Sequence, residues 1–558
     1  MPEYLAPAVY VEETSFRAKS IEGVSTSTTG FVGPTRKGPA TGTPELITSF
    51  GDFERIYGGF ENLQFSGGEA INFIANAVKN YFDNGGARLF VARVDTGGAT
   101  AASAFIGDGA TNADDIRFIA RTAGTVGNGT VTTGLVTVEA TAQGMRRAPN
   151  GTILVDGSDV YRKRGADWIQ DDATEFTFNI ATGLWADAAD TALPAQTSTV
   201  AEFVGVNVLA VDADGNETFY ENLGLVAGHP RYIGDIMSAT PGRRIDQLEN
   251  TFAIDIGANV DDFRLHAIFN AVTAPAALGG GTDGAEPAAA AYTAPLLSLA
   301  VIEDISIVAA PGYSSFTDVA AIQDALITHA ETRRAYRIAV LDTPAAQTVT
   351  TALTVKSRID SSYAALYHPW IFSSNPLSRP DDESIPREIM LPPSGFVCGI
   401  YARNDNSKGV SKSPGNETVR GALRFETDIS FAEQEVLNPR GINCLRFFPG
   451  RGNRLWGART TSSDPEWKYV GPRRYFIYLE HSIDRSTQWA VFENNGPQLW
   501  ANVREAVTSF CYNEWVSGAL LGANPDEAFF VRCDRTTMTQ NDLDNGRLIC
   551  LIGVSVLK

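Results

Sequence analysis

The stretch "ISIVAAPGYSSFTDVAAIQDALITHAETRRAYRIAVLDTP", Ile305 to Pro344, carries the fold assignment. "ISIVAAPG" is a short apolar run closed by Pro-Gly, which reads as a buried strand ending in a turn. "SFTDVAAIQDALITHAETRR" follows with helical spacing of its apolar residues, and "YRIAVLDTP" is a second strand. Strand, helix and strand in this order form a βαβ unit, whose handed crossover predicts a parallel pair. Earlier in the chain, "SGGEAINFIANAVKNYFDNGG" has an N-cap candidate at Ser66. Its apolar residues Ile71, Ile74, Ala75, Val78 and Phe82 form one helical stripe, ended by Gly85-Gly86. "RLFVARV" then reads as a strand. The two regions, 29–95 and 286–394, are assigned to one α/β middle domain.

Between them the texture changes. Gly, Ala, Thr and Asp dominate residues 96–285, and short β-prone runs such as "TILVDGSDVY" and "VNVLAVDADGNETFYENL" alternate with turn dipeptides. Asp156-Gly157 and Asp214-Gly215 are hairpin signals. This segment is expected to be a mainly-β insertion of one or two modules. From Asp95 to Ala300 there are 26 acidic against 11 basic residues, which suits a solvated outer face. Residues 395–546 mix strands ("INCLRFF", "RLWGART", "EAFFVRCD") with aromatic-rich helical runs around "RRYFIYLEHSID" and "PQLWANVREAVTSFCYNEW", an α+β pattern. Residues 1–28 and 547–558 read as an extended N-terminal arm and a C-terminal strand or arm. "PAVYVEE" is β-prone but too short to bury a face alone, so it must pair with something else. The fold class is therefore α/β and α+β multidomain.

A chain of 558 residues exceeds a single core and should divide into several domains. A net charge of -20 argues against general nucleic-acid binding, since phosphate contacts need excess Lys and Arg. The charge is uneven, however. From Leu437 to Ala490 there are 9 basic against 4 acidic residues. "MPEYLAPAVYVEETS" lacks the basic and apolar regions of a secretory signal, and "AAAAYTAPLLSLAVI" is too short to span a bilayer. A soluble protein made in the cytoplasm is expected. Cys398, Cys444, Cys511, Cys533 and Cys550 form no CxxC pair and are expected to be mostly buried, reduced thiols.

Catalytic and cofactor signatures fail one by one, so no catalytic, cofactor or metal residue is assigned. His229, His266, His329, His368 and His481 are scattered without metal-ligand spacing. "GYSSF" lacks the second glycine of a nucleophile elbow. "DADGNE" has its glycine at the fourth position of a would-be calcium loop, and a hairpin turn explains it more simply. "GGGTDG" has no following Lys-Ser/Thr. "GRGNRLWG" places its last glycine, Gly457, too late for a dinucleotide loop and runs on as β-prone sequence. Its neighbourhood still holds five arginines, Arg440, Arg446, Arg451, Arg454 and Arg459, among glycines and a tryptophan. They read either as a solvated, internally paired face or as a shaped surface for an acidic protein.

The ordered segments "YLAPAVYVEETS", "GVSTSTTGFVGPTRKGP", "LITSFGDFERIYGG", "NYFDNGGARLFVARV", "GGGTDG" and "LDTP" begin a pattern. It continues in "SSYAALYHPWI", "LPPSGFVCGIYARND", "LNPRGINCLRFFPGRGNRLWGARTTSSDPEWKYVGPRRYFIYLEHSI" and "FFVRCD". Together they resemble the tail sheath proteins of contractile phage tails, also found in R-type bacteriocins and related injection systems. The resemblance skips roughly Thr96 to Ala277, which agrees with the insertion set apart above by composition. Where such proteins carry Pro-Gly-Val in the N-terminal arm, this chain has Ala8 in place of the glycine. Relatives usually continue beyond the point where "LIGVSVLK" ends, so a short or trimmed C-terminal arm is expected.

The resemblance implies a non-enzymatic homo-oligomer: six-subunit rings stacked helically around an inner tail tube, metastable when extended and contracting to drive the tube through an envelope. Implied partners are the tube protein, the baseplate and the tail terminator or neck proteins, with no cofactor, no nucleic acid and no membrane insertion. The implied location is the virion tail, after assembly in the host bacterial cytoplasm. The resemblance makes Val9, Tyr10, Val11 and Glu12 an N-terminal inter-subunit arm, and Leu548, Cys550, Ile552 and Val554 a C-terminal one. It places 395–546 with the termini in an inner domain, so that the five arginines form a tube-facing basic surface. A phage tail is the preferred reading, with a bacteriocin or secretion sheath as runner-up and an α/β enzyme as the different-class alternative.

Overall fold

The computed structural model describes residues 20–107 and 113–557. Its centre is a nine-stranded sheet. Six adjacent strands run parallel: Leu89–Arg93, Thr29–Gly33, Ile307–Ala309, Ile338–Asp342, Ala364–His368 and Ile442–Phe448. Leu46–Ile47 closes one edge antiparallel. At the other edge Gly452–Trp456 turns back on Ile442–Phe448, and Glu417–Thr418 pairs outside it. Alternate side chains of each parallel strand enter two separate cores. Phe31, Ile307, Val340 and Tyr367 face one; Val32, Val308, Leu341 and Leu366 face the other. Both faces are covered, which is why these strands read as continuous apolar runs rather than alternating ones.

Helices Phe73–Asp83 and Ser394–Lys408 cover the first face; Thr293–Ala300, Val319–Glu331 and Val349–Ser357 cover the second. The βαβ unit expected from Ile305 to Pro344 is present, with Ile307–Ala309 and Ile338–Asp342 parallel about Val319–Glu331. The expected helix start at Ser66 is displaced. Ser66 and Gly67 instead form the turn of a small hairpin, Leu63–Phe65 with Gly68–Ala70, and the helix begins after Asn72, whose side chain accepts from Ala75 N at 3.2 Å. An N-cap needs a side-chain oxygen placed directly before the first turn to accept a free amide, and Asn72 supplies it.

The segment expected as an insertion leaves and rejoins the central sheet through a two-stranded neck. Thr100 and Thr282 exchange backbone hydrogen bonds of 3.1 and 3.0 Å, and Ser103 bridges Gly279. Beyond the neck lie a second nine-stranded sheet, antiparallel throughout, and a three-stranded one. Two apolar clusters fill the region, one around Val206, Phe118 and Phe269, the other around Trp168, Trp185 and Tyr161. Both sequence-predicted hairpins form, Ile153–Asp156 with Asp159–Arg164 and Glu202–Val211 with Glu217–Leu223. Gly157 and Gly215 have φ of 65° and 86°, the left-handed backbone such turns require.

The boundary expected at 394/395 does not separate two folding units. Ser394–Lys408 packs on the central sheet, and Ile442–Phe448, Gly452–Trp456 and Glu417–Thr418 are three of its strands. The pairing of Leu366 with Ile442 joins segments 76 positions apart, which local patterning does not reveal. A separate apolar cluster begins only with helices Val470–Ser486 and Pro497–Val516 and the ribbon Phe529–Arg532/Leu551–Val554. Ile21 packs against this cluster, and Val24 N donates to Ser482 Oγ at 3.1 Å.

Candidate functional site: an arginine hairpin and a C-terminal ribbon

The glycine- and arginine-rich stretch forms the hairpin at the sheet edge. Phe448 pairs with Gly452 across a turn whose Gly450 and Gly452 have φ of 76° and 73°, so the tight reversal depends on glycine. Leu445 and Leu455 point into the core, and the opposite face carries Arg446, Phe448, Arg454 and Trp456. Phe448 and Trp456 lie 4.5 Å apart between ring centroids. The Arg451 guanidinium stands over both, at 4.7 and 5.3 Å, and Arg446 lies 5.0 Å from the Phe448 ring.

The five arginines divide by what holds them. Arg446 is a structural tie: Nε donates to Ile429 O and Nη1 to Gln434 Oε1, each at 2.7 Å. Arg459 leans on the Tyr469 ring at 5.4 Å, and its amide donates to Asn443 Oδ1 at 2.6 Å. Arg454 reaches backbone oxygens only, Arg451 O at 3.0 Å and Asn416 O at 3.4 Å. Arg440 and Arg451 are exposed. Among the described residues none of the five is ion-paired. The hairpin therefore offers uncompensated positive charge beside two aromatic rings, a composition common at protein interfaces. It belongs to the central sheet, and not to the C-terminal helical unit with which the sequence had grouped it.

The C-terminal residues singled out by sequence lie on their own chain. Ile552 and Val554 sit in the strand that pairs antiparallel with Phe529–Arg532. Leu548 and Cys550 precede it, and all four pack half-buried against the cluster of Trp500, Phe510 and Cys511. Phe530 and Leu551, on the outer face, are 53% and 50% exposed. The ribbon has two strands only, and apart from the Leu520–Val556 bridge its outer edges meet no further strand among the described residues. Unpaired strand edges are templates for another strand. Val9, Tyr10, Val11 and Glu12 lie outside the described residues. The first residues that are described adjoin this unit: a Cβ added at Gly23 would fall 2.3 Å from Tyr478 Oη.

The five histidines are dispersed. His329 meets Arg337 at 2.7 Å, His368 Nδ1 meets Thr343 Oγ1 at 3.1 Å, and His481 stacks on Tyr336. Burial pushes His329 and His368 each down to about 4. No group of three or more His, Cys, Asp or Glu side chains converges among the described residues. All five cysteines are free, four of them buried. No described helix is long and apolar enough to cross a membrane.

Sequence reasoning missed a buried ionic network at the neck. Asp283, the acidic residue of "GGGTDG", accepts from Gln64 N and Thr125 N at 2.7 Å each, and from Thr125 Oγ1 at 2.9 Å. Asp214, from the "DADGNE" turn, accepts from Arg36, and Asp212 lies 3.9 Å from Lys37 Nζ. Both motifs had been discarded as ligand loops. Only Asp283 lies beside the neck; Asp212 and Asp214 come from a hairpin turn inside the insertion that folds back onto Arg36 and Lys37, and no local signal in the sequence marks that return.

Residues 285–461 match the phage tail sheath protein central domain, and residues 462–558 match the phage tail sheath C-terminal domain. The division at 461/462 falls where the chain leaves the central sheet for the C-terminal helices. A prophage major tail sheath protein of Pseudomonas aeruginosa (strain UCBPP-PA14) is 27% identical over 227 residues, covering 39% of this chain and 55% of that protein. The chain thus spans about half the length of that relative. In fold it is similar to the contracted helical sheath of the anti-feeding prophage, with a TM-score of 0.52 and 18% identity over 100% of this chain and 97% of the other. It is also similar to a sheath tail protein of Desulfitobacterium hafniense, with a TM-score of 0.52 and 11% identity over 99% and 100%.

Proposed function

We propose that this chain, whose C-terminal half matches the central and C-terminal domains of the phage tail sheath family, is the sheath subunit of a contractile tail. In this reading subunits stack as six-membered rings around an inner tube, are metastable when extended, and contract to drive the tube through a host envelope for genome delivery. The observation that carries it is the two-stranded C-terminal ribbon, whose outer edges meet no strand among the described residues beyond the Leu520–Val556 bridge, adjoining the point where the described chain begins. A strand supplied by a neighbour would satisfy those edge groups and link subunits while leaving their cores free to rotate. Heterologous contacts of this kind generate rings where the rotation closes and open helical assemblies where it does not. Energy would be stored in the extended lattice, so no nucleotide is required.

The arginine hairpin is the second interface in this reading, facing an acidic tube surface, and the acidic insertion decorates the exterior. Partners at the ends of the assembly would be baseplate and terminator proteins, and its place the virion tail. Electron microscopy of the purified chain, alone and with its tube protein, tests the reading. Hollow tubes or stacked rings support it, and a protein that stays monomeric at high concentration under both conditions refutes it. Removing residues 1–19 should abolish polymerisation while leaving the monomer's melting temperature within a few degrees. Polymers that form normally without that segment would sink the arm-exchange mechanism.

A further inference from the structure

The ribbon register pairs Phe529 with Val554, Phe530 with Gly553, Val531 with Ile552 and Arg532 with Leu551. One step further along the same antiparallel register sets Cys533 opposite Cys550. The type of position also follows. Ser555 N donates to Ala528 O at 2.8 Å, which makes 528/555 a hydrogen-bonded pair. Hydrogen-bonded and non-hydrogen-bonded pairs alternate along an antiparallel ladder, so 533/550 falls on a non-hydrogen-bonded position, where facing Cα atoms lie about 4.5 Å apart. That separation is inside the range a disulfide spans without moving the backbone.

The faces agree. Phe529, Val531, Cys533, Cys550, Ile552 and Val554 all turn towards the C-terminal cluster. Phe530 and Leu551 turn outward. Cys533 is 1% exposed, while Cys550 is half-buried; both thiols are free. Their proximity registers electrostatically: burial, then the neighbouring Cys533, push the Cys550 thiol up to about 12. Cys511, on helix Pro497–Val516, belongs to the same cluster but to neither ribbon strand.

We propose that Cys533 and Cys550 are an oxidisable pair, a same-chain disulfide site that staples the C-terminal strand to its partner. A small-molecule disulfide is a sufficient oxidant. The more accessible Cys550 thiolate attacks one of its sulfurs, forming a mixed disulfide and releasing one small thiol. The Cys533 thiolate then attacks Cys550 Sγ, closing the protein disulfide and releasing the second small thiol. Two protein thiols lose two protons and two electrons, and the oxidant takes them up as two thiols. Because thiolate is the attacking species and burial disfavours it, closure is slow at neutral pH and accelerates as pH rises. Closure would fix the ribbon register and hold residue 550 on its own subunit.

The test uses the full-length reduced chain, incubated with oxidised glutathione at pH 8.5, alkylated, and mapped by non-reducing peptide mass spectrometry. The expected product is a 533–550 linked peptide within one chain, with Cys398 and Cys444 still alkylated. The oxidised protein should melt several degrees higher, reversibly with dithiothreitol, and Cys550→Ser should lose both effects. The proposal is overturned if Cys533 and Cys550 stay reduced under conditions that oxidise the urea-unfolded chain. It is also overturned if Cys550 links to Cys511, or if the 533–550 bridge joins two chains. The wild-type mapping stands whether or not the serine variant folds, and whether or not the chain polymerises.

Discussion

Arg36 and Asp214 are 178 positions apart and form a buried ion pair, with Arg36 Nε donating to Asp214 Oδ2 at 3.1 Å and side chains 6% and 8% exposed. The pair crosses from the central sheet to the insertion, and Asp283 lies 3.7 Å away on the second neck strand. Removing Asp214 alone leaves a buried charge without its main compensation, whereas replacing both partners leaves only Asp283, which keeps its bonds from Gln64 N, Thr125 N and Thr125 Oγ1. Asp214→Ala should therefore cost about 3 kcal/mol of stability. The paired change Arg36→Met with Asp214→Leu should recover most of it. Urea unfolding of the three variants measures the difference. Equal losses in the single and double variants would show that the pair contributes packing alone.

This pair also marks how far the sequence could be read. The βαβ unit, the insertion and both Asp-Gly hairpins were legible because each rests on spacing within about twenty residues or on local composition. The two strands that meet at Gly450 were legible as β-prone for the same reason. What escaped were pairings set by tertiary register. Leu366 beside Ile442 pulled the arginine hairpin into the central sheet. Arg446 looked like one of five equivalent surface charges, yet its bonds to Ile429 O and Gln434 are internal. The Cys533–Cys550 juxtaposition depends on a ladder whose register no spacing rule reveals. Ser66 failed as a cap because it forms, with Gly67, the turn of a hairpin that closes on Gly68.

Asp342 supplies a pH prediction. It ends a central strand, is fully buried, and accepts Ser394 N at 2.8 Å, capping helix Ser394–Lys408; its other oxygen has no hydrogen-bond partner among the described residues. Burial raises its pKa to about 7, against the lowering effect of the Ser394 hydrogen bonds. An acid whose folded pKa is raised holds its proton longer in the folded state than in the unfolded one. Its contribution to stability is therefore fully present below about pH 4, falls as pH rises, and is lost by about pH 7. Asp342→Asn keeps an oxygen acceptor for Ser394 N and removes the ionisation. The variant should gain on the wild type between pH 5 and 8, by on the order of 4 kcal/mol at most. Thermal melts across that range measure it, and parallel pH profiles for the two proteins would refute the assignment.

Gly399 tests the close approach of the two helices on the first face. A Cβ built there would lie 2.4 Å from Tyr81 O, a backbone atom that cannot swing aside. Alanine would favour the helix by about 1 kcal/mol, but overpacking a tight contact commonly costs 1–3 kcal/mol. Gly399→Ala is expected to lower the urea midpoint, a net loss of about 1–2 kcal/mol. Gly134→Ala, in the middle of a strand where an added Cβ meets nothing within 4 Å, should instead hold or raise it, by up to about 1 kcal/mol. A stabilised Gly399→Ala protein would mean that the helices can separate without loss.

The arginine hairpin separates folding from assembly. Arg451 is exposed and held only by aromatic rings, and Arg454 bonds to backbone oxygens at 3.0 and 3.4 Å, so neither secures the core. Arg451→Glu with Arg454→Glu should leave monomer stability within about 1 kcal/mol, as exposed charges generally do. Arg446→Ala, which frees Gln434 and Ile429 O, should lower it by about 1–3 kcal/mol. If the hairpin faces an acidic tube, the double reversal replaces attraction by repulsion, and assembly on tubes should fail at low salt. The deficit should shrink as salt screens the charges beyond the Debye length. Sedimentation of sheath with tubes at two salt concentrations reads the effect. Loss of polymerisation without tubes as well would place the hairpin between neighbouring subunits. Normal sheathed tubes at low salt would remove it from either interface.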